Sequence, residues 1–349
     1  MAATPREVTS LGRPLRGEIY TRFNPDTDIV SGDRQTVSMG LFSDNVGSLT
    51  AFYTSSTQAS ATSSRYYINV YNQNPAISSS AEVQFAIAYG HLAGSGSKVA
   101  ASNNNDTETR AIYSQYRNVL LDPSDNYFTF GSDTPEDIVI VNFSRAQIKE
   151  KLDPGNWQLH LSGSSAFPTL QLIDDSGANT NPTVNAAGRV FNIVSGTINS
   201  GVVTTQTGSV YGLCYPDLGI IVLNGRALYK SASIAFETGS VATVNNNLRF
   251  FSAISGGRYF AARNEEEITS TTYYCRVYNS KYNFSNNPTF VTGSYGQIKQ
   301  ADFIGDPKVY ITTIGLYNDA GECLAVAKTS EPVLKTFNRE ANFRVKLDY

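Results

Sequence analysis

The stretch KVYITTIGLYNDAGECLAVAKTSEP, residues 308–332, sets two apolar runs around the polar turn Asn318-Asp319-Ala320-Gly321. β-Branched and aromatic residues fill the runs and turn formers fill the gap, the pattern of a β-hairpin. It carries no catalytic motif. The same grammar extends outward. The final residues NFRVKLDY alternate Phe343, Val345, Leu347 and Tyr349 against Arg344, Lys346 and Asp348, so a strand tied into a sheet is expected there. AEVQFAIAYG places Val83, Phe85, Ile87 and Tyr89 on one face, with Glu82 and Gln84 on the other. DIVIVNF (137–143) is apolar throughout its centre, as a fully buried strand would be. GLCYPDLGIIVLN reads as a hairpin turning through Tyr215–Gly219.

Two stretches look helical. In DTETRAIYSQYRNVLLDPSD, Ile112, Tyr116, Val119 and Leu120 share one face, with Asp106 or Thr107 as cap and Asp122-Pro123 as stop. In NFSRAQIKEKLDPGNW, Ser144 caps a shorter helix carrying Ile148 and Leu152, ended by Asp153-Pro154-Gly155. The expected fold is therefore mainly β, with multi-stranded antiparallel sheets or sandwiches and two short helices. The expected segments are residues 1–155, a β-rich middle 156–250 entered at Trp157, and 251–349. The middle segment is either a domain in its own right or an insertion that leaves the outer parts to pair. Low-signal loops are expected at 54–64, 94–107, 174–188 and 196–209. Several loops of this length in one chain suggest either surfaces ordered by neighbours, the favoured reading, or mobile tips.

Composition narrows the function. Of 349 residues, 16% are charged and 41% hydrophobic, with 21 Tyr and 18 Phe, so neutral polar groups carry solubility and disorder is excluded. The net charge of −3 provides no basic footprint for nucleic acid. Ser144–Lys151, among the most basic stretches, reads as a solvated helix face. No apolar run reaches the roughly 18 residues of a membrane span, and the opening MAATPREVTSLGRPLRG lacks the apolar segment of a secretion signal. Cys214, Cys275 and Cys323 are far apart and lie in strand-like runs, which fits buried thiols in a reducing cytosol rather than a metal site. The sequons at Asn105, Asn142 and Asn283 then carry no glycan.

Candidate chemistry is sparse. The two histidines, His91 and His160, lack metal-ligand spacing, and GSGSK at 94–98 departs from the phosphate-loop pattern. AISGGRYF at 253–260 offers the glycines of a tight turn without the dinucleotide fingerprint. Asp174-Asp175, Glu265-Glu266-Glu267 and Asp302 with Asp306 could supply a glycosidase pair, but turns and solvation account for them equally. Tyr66-Tyr67, Tyr273-Tyr274, Tyr278, Tyr282 and Phe284 suit either a glycan platform or, better, a protein interface.

The blocks DFIGDPKVYITTIGLYNDAGECLAVAKTSEPV and NREANFRVKLDY resemble the C-terminal part of virion structural proteins of contractile-tailed bacteriophages, especially those of cyanobacteria. AIYSQYRNVLLDPSDNYFTF, KEKLDPGNWQLHLSG and AISGGRYFAARNEEEITSTTYYCRVYN share the likeness, which covers roughly residues 105–349. The pattern ITTIGLYNDAGECLAVAK is also similar to a hairpin of tail-fibre and baseplate-associated proteins. The resemblance implies a non-enzymatic structural subunit of the tail or baseplate. It would be assembled in the bacterial cytoplasm as a symmetric homo-oligomer among other virion proteins, without catalytic, metal or cofactor residues, nucleic acid or membrane. A receptor-binding fibre or spike component that holds host glycans is the alternative.

Overall fold

The structure is a computed structural model that describes residues 6–10, 13–20, 22–59, 66–97, 107–163, 169–178, 182–199, 201–202, 210–239 and 245–349. Parts of the four expected loops, and Asp106 and Asn105 with them, lie outside the described residues. The chain forms two compact units, one of residues 1–35 with 268–349 and the other of residues 36–267. The positions 155 and 250 fall inside the second unit. It is the long segment 36–267 that is inserted, and the outer parts belong together.

The second unit is built on a twelve-stranded antiparallel sheet. Its main path runs Ser48–Leu49, Phe260–Ala261, Gln158–Leu161, Leu170–Asp174, Gly188–Thr197, Gly212–Tyr215, Ile220–Asn224, Asp137–Asn142, Val83–His91, Ile68–Tyr71. The sheet curls until its ends meet. Phe260, second along the path, packs its ring 5.2 Å from Phe85 of the ninth strand and 5.6 Å from Phe143, just past the end of the eighth. Tyr53 and Tyr71 exchange backbone hydrogen bonds of 3.1 and 2.8 Å, joining the chain that leaves the first strand to the last. One apolar core fills the interior, including Phe85, Ile87, Tyr89, Val139, Val141, Leu159, Leu172, Ile193, Ile221 and Leu223. Curling disposes of edges that would otherwise invite pairing.

The unbroken apolar run DIVIVNF follows from this arrangement. Val139, Val141 and Phe143 face the interior. Ile138 and Ile140 face an outer cluster with Ile112, Tyr113 and Leu120 of the helix Glu108–Leu120. The buried stripe of that helix includes Tyr113, while Val119 is exposed, so the apolar face is rotated from the expected one. Gly90 permits the close approach, because a Cβ there would lie 3.0 Å from the Tyr113 amide nitrogen.

The helix expected to reach Leu152 stops at Ile148. Lys149 turns to φ +54°, and Lys151–Leu152 pairs instead with Asn264 and Glu265. Two further helices, Gly225–Ala232 and Asn246–Gly257, were not expected. Asn224 and Asn245 cap them by accepting the Ala227 and Leu248 amides at 3.1 Å each. Leu228, Ala232, Phe250, Ala253 and Ile254 complete the interior. The glycines of AISGGRYF end the second helix where it meets the carbonyls of His160 and Ser162, leaving no room for side chains.

The first unit contains the antiparallel hairpin Arg6–Ser10 with Arg13–Tyr20, and Ala341–Asp348 paired with Ser270–Val277. The last residue is secured, since Thr269 and Tyr349 exchange backbone bonds of 2.9 and 3.0 Å. The expected hairpin is Val309–Tyr317 with Cys323–Lys335. Apart from Pro307, the buried apolar side chains described here are Val277, Phe290, Leu316 and Val345. That is a thin core for so many strands.

Candidate functional site

The ribbon Val309–Lys335 starts from its turn. Asn318 accepts the Glu322 amide at 2.8 Å through its side chain, and Gly321 takes φ +83°, which only glycine adopts without strain. Below the turn, Ile314 and Leu316 oppose Ala327 and Ala325 on one half-buried face. Tyr310 near the ribbon's base is 58% solvent-accessible, and on the other face Leu324 is 68% and Val326 62%. Tyr317 lies on this side too, its ring covering Gly315. Cys323, expected to be buried, is exposed, opposite Tyr317 beside the turn.

The two ribbon edges differ. Between the pairs Ile311↔Val333 and Thr313↔Lys328, the second strand bulges through Thr329, Ser330, Glu331 and Pro332. Thr329 Oγ1 stitches the bulge to the carbonyls of Ile311 and Thr312 at 3.4 and 3.3 Å. A bulge, a proline and the charges of Lys328 and Glu331 are ordinary devices for spoiling an edge. The first strand, VYITTIGLY, carries no charge and no proline. Among the described residues it pairs with the second strand alone.

At its base the ribbon is anchored by Lys335, which is fully buried. Its ammonium donates to Asn279 O at 2.9 Å, Asn283 Oδ1 at 2.8 Å and Thr336 O at 2.9 Å. Burial lowers its pKa and nearby Glu340 opposes that. Sequence reasoning missed this residue; the only signal was a lysine at an inward position of an apolar strand. A groove of about 630 Å³ lies between the ribbon and the C-terminal strand, bounded by Ile314, Ala327, Arg339 and Phe343.

The candidate carboxylates are occupied in structural roles. Asp174 is fully buried and accepts the Gly155 and Ser176 amides at 2.8 and 3.0 Å, with its pKa raised chiefly by burial. Asp175 holds the Asn192 amide and carboxamide at 2.9 and 3.0 Å. Glu265 and Glu266 pair with Lys151 and Lys149 at 3.1 and 2.9 Å, so two cations of the largely exposed stretch 144–151 have carboxylate partners within the chain. Asp306 lies 3.9 Å from Lys308, and Asp302 opens the short exposed helix Asp302–Gly305. Among the described residues no group of three or more His, Cys, Asp or Glu could hold a metal ion.

The His160 ring packs tilted against Tyr259, centroids 4.8 Å apart, and contacts Gln158. His91 is buried, with Nδ1 accepting the Ala93 amide at 3.1 Å. Burial lowers both histidine pKa values.

The tyrosines are divided between the two units. Tyr66 and Tyr67 belong to the second unit, and Tyr273, Tyr274, Tyr278 and Tyr282 to the first. Tyr273 packs at 5.3 Å against Phe23, the Arg276 guanidinium sits 4.9 Å over Tyr278, and Phe284 packs at 5.6 Å on Phe290.

A groove of about 400 Å³ in the second unit is flanked by Ser43, Glu82, Gln147 and Lys149. Glu82 bonds Ser43 there, and Lys149 holds Glu266. No helix among the described residues is long and apolar enough to cross a membrane. Comparison with protein-family models, with curated proteins and with solved structures finds no match.

Proposed function

We propose that this chain is a structural subunit of a contractile-tailed phage particle, of the tail or its baseplate, and that it acts by assembling with other virion proteins. The observation that carries the assembly part is the ribbon Val309–Lys335, which offers Tyr310, Leu324 and Val326 to solvent from a unit with a thin core. A two-stranded ribbon is marginal alone in water, and clustered exposed apolar side chains mark contact surfaces. The particle itself is inferred from the resemblance of residues 105–349 to virion proteins. The division of the tyrosines between the two units gives the glycan-holding alternative no support.

Mass spectrometry of washed, intact particles from the phage that encodes the chain tests the reading. The chain should be present at a fixed copy number, and immunogold labelling should mark the tail or its base. Consistent absence from washed particles would refute the proposal, and label confined to the head would refute its placement.

A further inference from the structure

The ribbon's unprotected edge points to a specific partner. We propose that Val309–Tyr317 pairs antiparallel with the same strand of a second copy of this chain, joining two ribbons into a four-stranded sheet across a two-fold axis. This rests on the assembly reading above and names its first partner.

The edge itself supplies the first reason. Nine residues with no charge, no proline and a β-branched or aromatic side chain at each of the first five positions make a strand ready to accept another. The opposite edge is spoiled by its bulge, Pro332, Lys328 and Glu331, so pairing is directed to one side.

Charge supplies the second. Lys308 precedes the strand and Asp319 follows it. An antiparallel arrangement brings the Lys308 end of one copy beside the Asp319 end of the other, twice over. A parallel arrangement would set Lys308 near Lys308 and Asp319 near Asp319. Both side chains are exposed at the two ends of the strand.

Symmetry supplies the third. A strand that meets itself antiparallel makes a self-complementary contact, and a two-fold closes it without leaving a growing fibre. The exposed side chains along this strand include Tyr310 near one end and Tyr317 at the other, and antiparallel alignment brings the Tyr310 end of one copy beside the Tyr317 end of the other. Cross-strand pairs of this kind stabilise sheets.

Sedimentation of the full-length chain tests the proposal. The 37.9 kDa chain should sediment at twice that mass at micromolar concentration. A monomer persisting to about 100 μM would overturn the proposal, as would a dimer unmoved by the variants below. Thr313 is exposed near the middle of the strand, and Thr313→Lys should abolish dimerisation while far-UV circular dichroism stays unchanged.

Lys308→Glu should weaken the dimer about ten-fold at low salt, because the reversal acts at both symmetric ends. The double exchange Lys308→Glu with Asp319→Lys should restore it. Failure of that rescue would refute the antiparallel sense even if Thr313→Lys misfolded. The outcomes are separate from those for the virion role. A dimeric chain absent from washed particles would sink that role alone, and a monomeric chain present in them would sink the pairing alone.

Discussion

Replacing Phe260 by Ala probes the closure of the inserted unit most directly. Phe260 sits on a two-residue strand, fully buried, with ring contacts to Phe42 at 5.6 Å, Phe85 at 5.2 Å and Phe143 at 5.6 Å. Truncating a buried Phe costs about 3–5 kcal/mol, through lost transfer energy and the cavity left behind. Three ring neighbours from opposite ends of the sheet leave little freedom to collapse around the gap, so a loss near ~5 kcal/mol is expected. A domain holds about 5–15 kcal/mol in all, so Phe260→Ala leaves the unit close to its unfolding threshold.

Trp157 makes the assay selective. It is the only tryptophan, is fully buried and belongs to the inserted unit, so its fluorescence reports unfolding of that unit. With a urea slope of about 2–3 kcal/mol per M, the midpoint should fall by roughly 1.5–2.5 M. Phe260→Leu keeps most of the volume and should cost only about 1–1.5 kcal/mol. A loss below about 1.5 kcal/mol for Phe260→Ala would refute the reasoning. It would mean that the sheet ends do not share one core and that Phe260 occupies a compliant margin.

Two other substitutions address buried polar groups. Lys335→Met keeps the stem but leaves Asn283 Oδ1 without that donor, while Asn279 O keeps the Asn283 carboxamide at 2.7 Å and Thr336 O the Arg339 amide at 3.2 Å. It should cost about 1–3 kcal/mol locally, read as lost hydrogen-exchange protection at the ribbon base, and unchanged protection would contradict the anchoring role. His91 accepts the Ala93 amide through Nδ1, which requires the unprotonated ring, and burial holds its pKa below the usual value of 6.5 against the opposing pull of Asp137 and Glu136. Below about 6.5 the unfolded chain therefore binds the extra proton first, and stability falls as pH drops from there through the folded pKa. His91→Gln should flatten this part of the profile in urea midpoints taken from pH 7.5 to 5, whereas parallel profiles for the two proteins would count against it.

What the sequence disclosed depended on whether a segment's burial was settled locally. DIVIVNF could be read because both of its faces are covered, by the interior and by the helix Glu108–Leu120. NFRVKLDY could be read because one face alone is covered, and the strict alternation records it. The helix Asn246–Gly257 escaped because Asn, Ser and Gly dominate its sequence, although Phe250, Ala253 and Ile254 keep a helical interval. Its glycines serve close approach to the carbonyls of His160 and Ser162, a demand set by another element. The unit boundaries escaped for a similar reason. Phe260 pairs with Leu49 on one side and Leu159 on the other, and nothing near residue 260 announces partners so far away.

The candidate site divides the same way. The hairpin was visible in its two runs and turn, but the exposure of Leu324 and Val326 was not, because alternation shows that faces differ without showing that neither is covered. The contrast between units gives that exposure its meaning. The inserted unit handles its edges thoroughly, curling the sheet and linking its ends through strands of only two residues at Ser48–Leu49 and Phe260–Ala261. The outer unit protects one ribbon edge with a bulge, a proline and charges, and among the described residues no strand pairs with the other edge over its nine residues. A chain that needed the ribbon only for its own stability would gain from protecting both edges, since an open strand costs solubility and offers the monomer nothing. One protected edge beside one bare edge is the arrangement expected when a second strand arrives from outside on a fixed side.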